Sequence, residues 1–315
     1  MSGKNVTEVV LADAGGIARA ARILEAGGLV AVPTETVYGL AARADSAEAV
    51  AKIYAAKGRP SFNPLIVHVR DLAQAESLAV LDERAHELAQ RFWSGPLTMV
   101  LPLKDGAQVA GAVTAGLPTI AMRRPAHPAM QALLEATGFA LAAPSANRSE
   151  EISPTRPEHV LRSLGAQCPI VLDGGASAQG LESTIVALRE GGGWSLLRPG
   201  PISKETLDGI LGADNTVVES GIEAPGQMAR HYSPGKPLRL NAREASRDEY
   251  LIGFGEVGGD CTLSRLGDLN EAAARLYDSL HKAAASERSQ IAVAPIPEGG
   301  VGRAINDRLR RAAAD

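Results

Sequence analysis

Apolar residues along the first two thirds of the chain alternate between short continuous runs and runs with helical spacing. Residues 29–32 form a continuous run that stops at Pro33, which predicts a short buried strand. Residues 45–57 carry apolar side chains at helical spacing and are followed by Gly58, which predicts a helix ending at that glycine. Further helices are predicted near residues 17–25, 83–92, 128–137 and 158, and further strands at residues 65–69, 98–103, 119–123, 140–143, 170–172, 184–188 and 195–197. This alternation is typical of an α/β fold.

The pattern changes after residue 212. Residues 213–237 lose their periodicity and are rich in glycine, proline and charged residues, which predicts a linker or a long functional loop. A glycine turn at residues 191–193 predicts a hairpin, and therefore a mixed sheet. A second α/β domain follows, with strands at residues 251–254 and 291–296 and helices at 269–284 and 303–313. We therefore predict one domain at 1–212, a linker at 213–237 and a smaller domain at 238–315.

Composition narrows the class of protein. With 315 residues, 45% apolar content and a net charge of −4, the chain can bury a sizeable core and is not a polycation that coats nucleic acid. Its two cysteines, Cys168 and Cys261, are too few for a disulfide framework and lack zinc-site spacing. No signal peptide and no apolar run near the ~20 residues of a membrane helix are found. We expect a cytoplasmic protein with no membrane segment and no metal held by a protein cage.

Polar residues follow several of the predicted strands. The segments PTETVYGL and KGRPSFNPLIVH place hydroxyl, basic and histidine side chains near two strand ends and one helix end. MRRP, PSANRS, LEST and LLRPG place similar groups after four other strands. Open α/β sheets bind ligands at strand ends. Turn chemistry alone explains the serines and asparagines, but Arg59, Arg123 and Arg198 at one rim predict a site for a polyanion such as a triphosphate.

Three common motifs do not fit the chain. GFGEVG at residues 253–258 matches a dinucleotide-binding pattern, but no apolar-periodic helix opens directly after it. No Walker A sequence occurs, and GASAQG at residues 175–180 has Gln179 where a nucleophile elbow has glycine. Dinucleotide binding and serine hydrolysis are therefore not favoured.

The polar segments occur in a known order. Together with HYSP in the linker and the final GGVGRAINDRLRRAA, they resemble the motifs of the YrdC-like threonylcarbamoyl-AMP synthases. The resemblance spans nearly the whole chain and fits the family's long form. It implies a YrdC-like twisted mixed sheet with flanking helices, a smaller C-terminal Rossmann-like domain, and a linker loop that folds over the active site.

The resemblance also implies roles for individual residues. Lys57 and Arg59 would supply catalytic electrostatics. The L-threonine-binding residues would be Thr36, His68, Arg123, Ala143 and Ser183, with the Arg123 guanidinium suited to the substrate carboxylate. The ATP-binding residues would be Arg59, Asn63, Thr119, Ser145, Ser153, Arg198 and Tyr232. The linker would bring Arg230 and His231 to the site together with Tyr232.

The family's reaction joins L-threonine, bicarbonate or carbon dioxide, and ATP into L-threonylcarbamoyladenylate and pyrophosphate. Mg²⁺ would arrive with ATP and bridge its phosphate oxygens. A partner complex would then transfer the threonylcarbamoyl group to tRNA, and any direct tRNA contact would be weak and local. Because the carbamate of threonine can attack the α-phosphorus itself, no enzyme nucleophile is expected.

Two other functions remain open from the residues. A double-stranded RNA- or tRNA-binding protein could use the basic rim as a phosphate groove, and would show salt-dependent RNA affinity without using ATP. A carbamoyl-transfer maturation factor also contains a YrdC-like domain, but such factors carry cysteine-rich zinc modules that two cysteines cannot build.

Overall fold

The computed structural model describes residues 7–213, 223–227 and 231–314. It contains two β-sheets. The larger sheet is formed by Glu8–Leu11 (β1), Val30–Val32 (β2), Gly39–Arg43 (β3), Ile66–His68 (β4), Leu97–Pro102 (β5), Thr119–Arg123 (β6), Leu141–Ala142 (β7), Ile170–Asp173 (β8), Thr184–Leu188 (β9) and Trp194–Arg198 (β10). The helices around it are Ala14–Glu25 (α1), Ala47–Lys57 (α2), Leu72–Leu78 (α3), Glu83–Phe92 (α4), Gly111–Thr114 (α5), Pro128–Thr137 (α6), Pro157–Leu164 (α7) and Lys204–Leu211 (α8).

The second sheet belongs to the last quarter of the chain. Its strands are Leu238–Arg239 (β11), Glu249–Gly253 (β12), Cys261–Thr262 (β13) and Gln290–Val293 (β14), and its helices are Leu269–Ala285 (α9) and Gly302–Ala312 (α10). The strand order is β11-β14-β12-β13, and each neighbouring pair is parallel. We call this part the C-terminal unit and residues 7–213 the main unit. The division of the chain at residues 212 and 237 stays a prediction.

The large sheet is mixed, which confirms the predicted fold class. Its order is β1-β8-β2-β3-β7-β4-β6-β5-β9-β10. Strands β4 and β6 are parallel with His68 opposite Arg123, and β9 and β10 form the predicted antiparallel hairpin. The parallel pairing brings the carboxyl ends of β4 and β6 to the same edge, where their last residues lie side by side.

Local sequence signals explain the helix α2 that leads to this edge. The Ser46 side chain accepts a hydrogen bond from the Ala49 backbone N–H at 3.2 Å and so caps the helix, and the preceding Asp45 pairs with Arg43. Gly58 ends the helix in the left-handed conformation, with φ +59°. The chain therefore leaves α2 at a defined angle, and Arg59 follows directly.

Apolar side chains cover both faces of the large sheet. One face packs a cluster that includes Leu40, Ile53 and Leu88, and the other packs Leu24 of α1 and Leu133 of α6. Burying each large aliphatic side chain contributes roughly 1.5–3 kcal/mol. The polar residues at the strand ends are thus carried on a rigid frame.

The C-terminal unit packs tightly against the main unit. Leu181 shares one apolar cluster with Leu276 and Leu280 of α9. Gly180 has φ +67°, and a Cβ at this position would lie 2.5 Å from the Ala274 carbonyl oxygen. No side chain larger than hydrogen fits this point of the interface without a shift of backbone.

Two histidines also meet across this interface. His159 of α7 stacks on His281 of α9 with ring centroids 3.7 Å apart. Burial, helped by the neighbouring ring, lowers the pKa of His159 to about 3, and burial lowers that of His281 to about 4. The charged groups that face the pair are Asp278, Lys282, Arg156 and Arg162. Near neutral pH both rings are therefore uncharged.

This pair predicts that acid weakens the protein. Below the ordinary histidine pKa of 6.5 the unfolded chain binds protons that the stacked pair excludes. The contribution of this pair to the free energy of unfolding should therefore be fully present above pH 6.5. It should fall as the pH drops toward 4, by up to about 1.4 kcal/mol per pH unit for each histidine. Urea unfolding of the wild type and of His281→Gln, which keeps a donor for the Ser153 carbonyl, would measure this slope. Equal slopes would contradict the prediction.

Candidate active site

A small cavity lies at the edge where β4, β6 and β10 end and β9 begins. It measures about 50 Å³. It is lined by Thr34, Thr36, Val37, Gly39, Arg59, Ile66, His68, Arg123, Ala143, Pro144, Ser145, Glu182, Ser183, Arg198, Pro225, Gly226, His231 and Tyr232. Eight separate chain segments therefore supply polar groups to one place, as the strand-end argument predicts.

The residues expected to bind threonine come together here. Thr36, His68, Arg123, Ala143 and Ser183 all line the cavity. The Thr36 hydroxyl lies 2.9 Å from that of Thr34 and accepts a hydrogen bond from Arg123 Nη1 at 2.8 Å. Burial and the Arg123 charge lower the pKa of His68 to about 3, so this ring is neutral at physiological pH. Its Nδ1 has no hydrogen-bond partner among the residues that the structure describes.

Arg123 lines the cavity but shares its charge with a buried acid. Its Nη2 pairs with the buried Glu35 carboxylate, and its Nε donates to the Gly95 carbonyl at 3.0 Å. Glu35 also accepts from the Ala126 N–H at 3.0 Å. Glu35 stands inside PTETVYGL, but its role depends on an arginine 88 residues away, which sequence spacing does not reveal. The pair leaves this end of the cavity close to electrically neutral.

Arg59 forms one unit with the loop that follows it. Its Nη2 donates to Asn63 Oδ1 at 2.6 Å and to the Pro64 carbonyl at 2.8 Å, and its Nε donates to the Asn63 carbonyl at 3.1 Å. Burial lowers its pKa to about 10, which still leaves it charged near neutral pH. Asn63 is buried but does not line the cavity. It orders the loop that presents Arg59.

Arg198 lies in the opposite wall of the cavity. Its Nε donates to the Ser183 carbonyl at 3.0 Å and its Nη2 to the Ser183 hydroxyl at 3.1 Å. The same hydroxyl lies 2.7 Å from that of Thr98. Burial lowers the pKa of Arg198. Ser183, at the start of β9, and Arg198, at the end of β10, are thus fixed to each other.

The predicted linker reaches the cavity. Pro225 and Gly226 line it, and the Pro225 carbonyl lies 3.5 Å from Arg198 Nη1. His231 and Tyr232 also line it, and the Tyr232 ring is almost fully buried. Arg230 lies outside the described residues. The described parts of this segment therefore cover the side of the cavity on which Arg198 stands.

Lys57 does not lie where the sequence suggested. It was predicted to supply catalytic electrostatics together with Arg59, but it is buried and does not line the cavity. Its ammonium donates to the Ser145 carbonyl at 2.6 Å and to the Asn147 carbonyl. Burial, with Arg59 nearby, moves its pKa well below the usual range. Lys57 therefore stabilises the PSAN loop, which carries the cavity residue Ser145, without itself lining the cavity.

Two other predicted ATP-binding residues also stand away from the cavity. Ser153 is fully buried and donates to Glu182 Oε1 at 2.5 Å. Thr119 is the first residue of β6, roughly 13 Å along the strand from Arg123. Extending the parallel register of β4 and β6 places Thr119 beside Pro64, next to the Arg59 loop. Of the seven predicted ATP-binding residues, Arg59, Ser145, Arg198 and Tyr232 line the cavity.

Glu182 is a cavity residue that sequence reasoning missed. Its Oε2 accepts from Tyr277 at 2.8 Å and from Arg308 Nε at 3.0 Å, both in the C-terminal unit. Burial would raise its pKa, but Arg308 and Arg198 outweigh this and lower it to about 2. The LEST motif contains this acid, yet nothing in the sequence pairs it with α10.

The fold and the cavity define a class of protein. Several cations and hydroxyls converge at the carboxyl ends of sheet strands, which is the arrangement of an α/β enzyme that handles a phosphorylated ligand. The comparisons with known proteins give the family. A family described as "Telomere recombination" (Sua5, YciO and YrdC) matches residues 22–200, and "Threonylcarbamoyl-AMP synthase, C-terminal domain" matches residues 202–314.

Named relatives agree. A threonylcarbamoyl-AMP synthase of Bacillus subtilis is 40% identical, over 94% of this chain and 92% of its own, and one of Pyrococcus abyssi is 37% identical, over 93% and 92%. The crystal structure of P. abyssi Sua5 with L-threonine covers 98% of this chain and 97% of its own, at 35% identity and a TM-score of 0.87. The chain belongs to the threonylcarbamoyl-AMP synthase family, so the family and the nucleotidyltransferase class predicted from sequence are confirmed.

Proposed function

We propose that this protein is an L-threonylcarbamoyladenylate synthase that joins L-threonine, bicarbonate or carbon dioxide, and ATP. The observation that carries the proposal is the cavity itself. It places a neutral, hydroxyl-lined end (Thr36, His68 and the paired Arg123) next to a cationic end (Arg59 and Arg198). An amino acid and a polyphosphate need these two environments side by side.

The neutral end suits threonine. P. abyssi Sua5, which shares the fold over nearly its whole length, is described with L-threonine bound. We assign the amino acid to Thr36, His68, Arg123, Ala143 and Ser183. Because Arg123 already pairs with Glu35, it would offer the substrate carboxylate its remaining N–H groups rather than an unshared charge.

The cationic end suits the phosphates of ATP. Arg59 and Arg198 would neutralise phosphate charge, with Ser145 and Tyr232 beside them and Asn63 and Thr119 along the Arg59 loop. Glu182 is the acidic residue among the described lining, and both of its oxygens already accept hydrogen bonds. We therefore propose that Mg²⁺ is bound by the phosphates and water rather than by protein carboxylates.

The chemistry needs positioning more than a nucleophile. The threonine amine adds to carbon dioxide and loses a proton to form a carbamate. A carbamate oxygen then attacks the α-phosphorus, the bond to the bridging oxygen breaks, and pyrophosphate leaves. Fixed cations would stabilise the negative charge on the phosphates, and the cavity would align the carbamate oxygen with the α-phosphorus. These two effects would account for the rate enhancement. The neutral His68 ring would not attract a competing anion to the threonine end.

Movement of the covering segment is part of the proposal. A cavity of about 50 Å³ is far smaller than the roughly 300–1,000 Å³ of ligand pockets in general. Pro225, Gly226 and Tyr232 cover the nucleotide side and come from the predicted linker. We propose that these three residues move aside to admit ATP and then close on it.

The activity is tested by incubating the protein with ATP, Mg²⁺, bicarbonate and labelled threonine. We expect pyrophosphate and a labelled adenylate, each dependent on all three substrates. Pyrophosphate release that does not depend on threonine would contradict the proposal.

Delivery of the product to a tRNA threonylcarbamoyl-transfer complex and a cytoplasmic location remain predictions. No helix in the described part of the chain is long and apolar enough to cross a membrane. The burial of Arg123 and Arg198 does not favour the alternative of an open RNA groove.

Arg59→Ala should lower product formation by roughly 100-fold or more, because the cavity loses a phosphate-facing cation and Asn63 loses one of its hydrogen-bond partners. Steady-state release of pyrophosphate would measure this. Lys52→Ala, which removes one charge from the exposed side of α2, is the matched control and should leave the rate unchanged. Turnover of Arg59→Ala at the control's rate would remove Arg59 from the mechanism.

A further inference from the structure

The C-terminal unit supplies part of the wall behind the cavity. Glu182 is the one acidic side chain among the described cavity residues, and it is 6% exposed. Three groups donate to its carboxylate: Ser153 from the main unit, at 2.5 Å, and Tyr277 and Arg308 from the C-terminal unit, at 2.8 and 3.0 Å. Most of the support for this acid therefore comes from a different part of the fold.

Arg308 also contacts the segment that covers the cavity. Its guanidinium carbon lies 5.5 Å from the centre of the Tyr232 ring, and Tyr232 lies 5.5 Å from Tyr277 between ring centroids. The Arg308 side chain is fully buried, and its Nη1 donates to Asp307 at 2.7 Å. One buried cation thus touches both an acid and an aromatic ring of the cavity wall.

The position of Glu182 creates a problem for a polyphosphate ligand. An unpaired carboxylate in a buried pocket repels phosphate groups strongly, because little water screens the two like charges. Arg198 is already engaged with Ser183 and faces the cavity. Arg308 approaches the same carboxylate from the side of the C-terminal unit.

We infer that Arg308 is a positioning residue of the nucleotide half of the site. It cancels the Glu182 charge and holds Tyr232 in place, so the ATP site is complete only while the C-terminal unit is docked. This inference rests on the proposed synthase activity and gives the C-terminal unit a part in it. The low pKa of Glu182, about 2 despite burial that would raise it, agrees with a carboxylate that stays ionised and paired.

The test compares full-length variants in the pyrophosphate assay. Arg308→Met should raise the KM for ATP roughly 10- to 100-fold, with a much smaller change in kcat. Its KM for ATP should fall again as the pH is lowered from about 8 to about 6, because loss of the Arg308 charge lets burial raise the pKa of Glu182, although Arg198, Ser153 and Tyr277 remain beside it. The wild type should lack this recovery. Arg310→Met, an exposed arginine of the same helix, is the control and should behave as wild type.

A second substitution, at Glu182, separates the effect of the lost Arg308 charge from the effect of its lost packing. The double variant Glu182→Gln with Arg308→Met carries no buried acid, so it should regain most of the lost ATP affinity. Arg308→Met with wild-type KM, or a loss that neither low pH nor Glu182→Gln relieves, would overturn the inference. If Arg308→Met does not fold, Tyr277→Phe removes another donor from the same carboxylate. It should raise the KM for ATP a few-fold, with the same pH recovery, and an unchanged KM would overturn the inference.

The wild-type assay keeps the two proposals apart. Absence of a threonine-dependent adenylate from the wild type would contradict the proposed function itself. A wild type that makes the adenylate, with Arg308 variants that bind ATP normally, would contradict only the inference about Arg308.

Discussion

Replacing Arg198 with methionine should lower threonine-dependent adenylate formation by roughly 100- to 1,000-fold, the largest catalytic effect that we expect from one substitution. Arg198 is a buried cation of the cavity wall, and its guanidinium also fixes Ser183 through two hydrogen bonds. The variant therefore loses charge at the phosphates and order at the threonine end together. Methionine retains much of the apolar volume, which limits the damage to packing. Pyrophosphate release at saturating substrates, with circular dichroism to verify folding, would measure the effect.

Arg189→Met is the matched control. Arg189 begins the turn of the same hairpin and pairs with Glu223 at 2.5 Å, so it anchors the covering segment without reaching the cavity. We expect it to change the KM for ATP by only a few-fold. Equal losses in the two variants would show that Arg198 acts by anchoring the segment through Pro225, not by facing the phosphates.

Gly180→Ala should cause the largest loss of stability, about 3 kcal/mol or more in the free energy of unfolding. The added Cβ would meet the Ala274 carbonyl oxygen at 2.5 Å and its Cα at 2.6 Å, and both are backbone atoms of α9. Alanine also tolerates φ +67° poorly. Because α9 cannot yield locally, the two units should separate before the rest unfolds. Urea unfolding and proteolytic cleavage between the units would report both effects.

Gly175→Ala isolates the collision from the conformational strain. Gly175 lies in the same loop with φ +78°, but a Cβ there meets nothing within 4 Å. It should cost only about 1–2 kcal/mol, the price of a left-handed alanine. If both variants lose the same stability, the interface at Gly180 is not as tight as the geometry indicates.

Sequence patterns predicted those elements best whose signals are local. α4, α6, β6 and β9 have the predicted bounds because caps, turns and periodic apolar residues mark their ends. β3 was missed because Gly39–Arg43 (GLAAR) contains no β-branched or aromatic residue, the types in which strands are enriched. Its place is set by tertiary contact, since a Cβ on Gly39 would lie 3.3 Å from that of Ala143.

For the site, too, local sequence signals were predictive and contacts between distant residues were not. The motifs predicted which segments meet, and nine of the thirteen predicted site residues line the cavity. Burial and pairing could not be predicted, because they depend on residues distant in the chain. Lys57 reaches carbonyls 88 and 90 residues away, and Glu182 meets an arginine 126 residues away. Spacing along a sequence carries no information about such partners.

The hairpin of β9 and β10 offers a practical consequence. Both of its cavity residues, Ser183 and Arg198, stand at its open end, while Gly191 and Gly192 turn the chain at the other end with φ +77° and +95°. Five-residue strands separate the two ends by roughly 15 Å. A fluorophore or a short peptide tag placed at this turn would therefore lie far from the cavity, and would be a suitable probe for the movement proposed for Pro225, Gly226 and Tyr232.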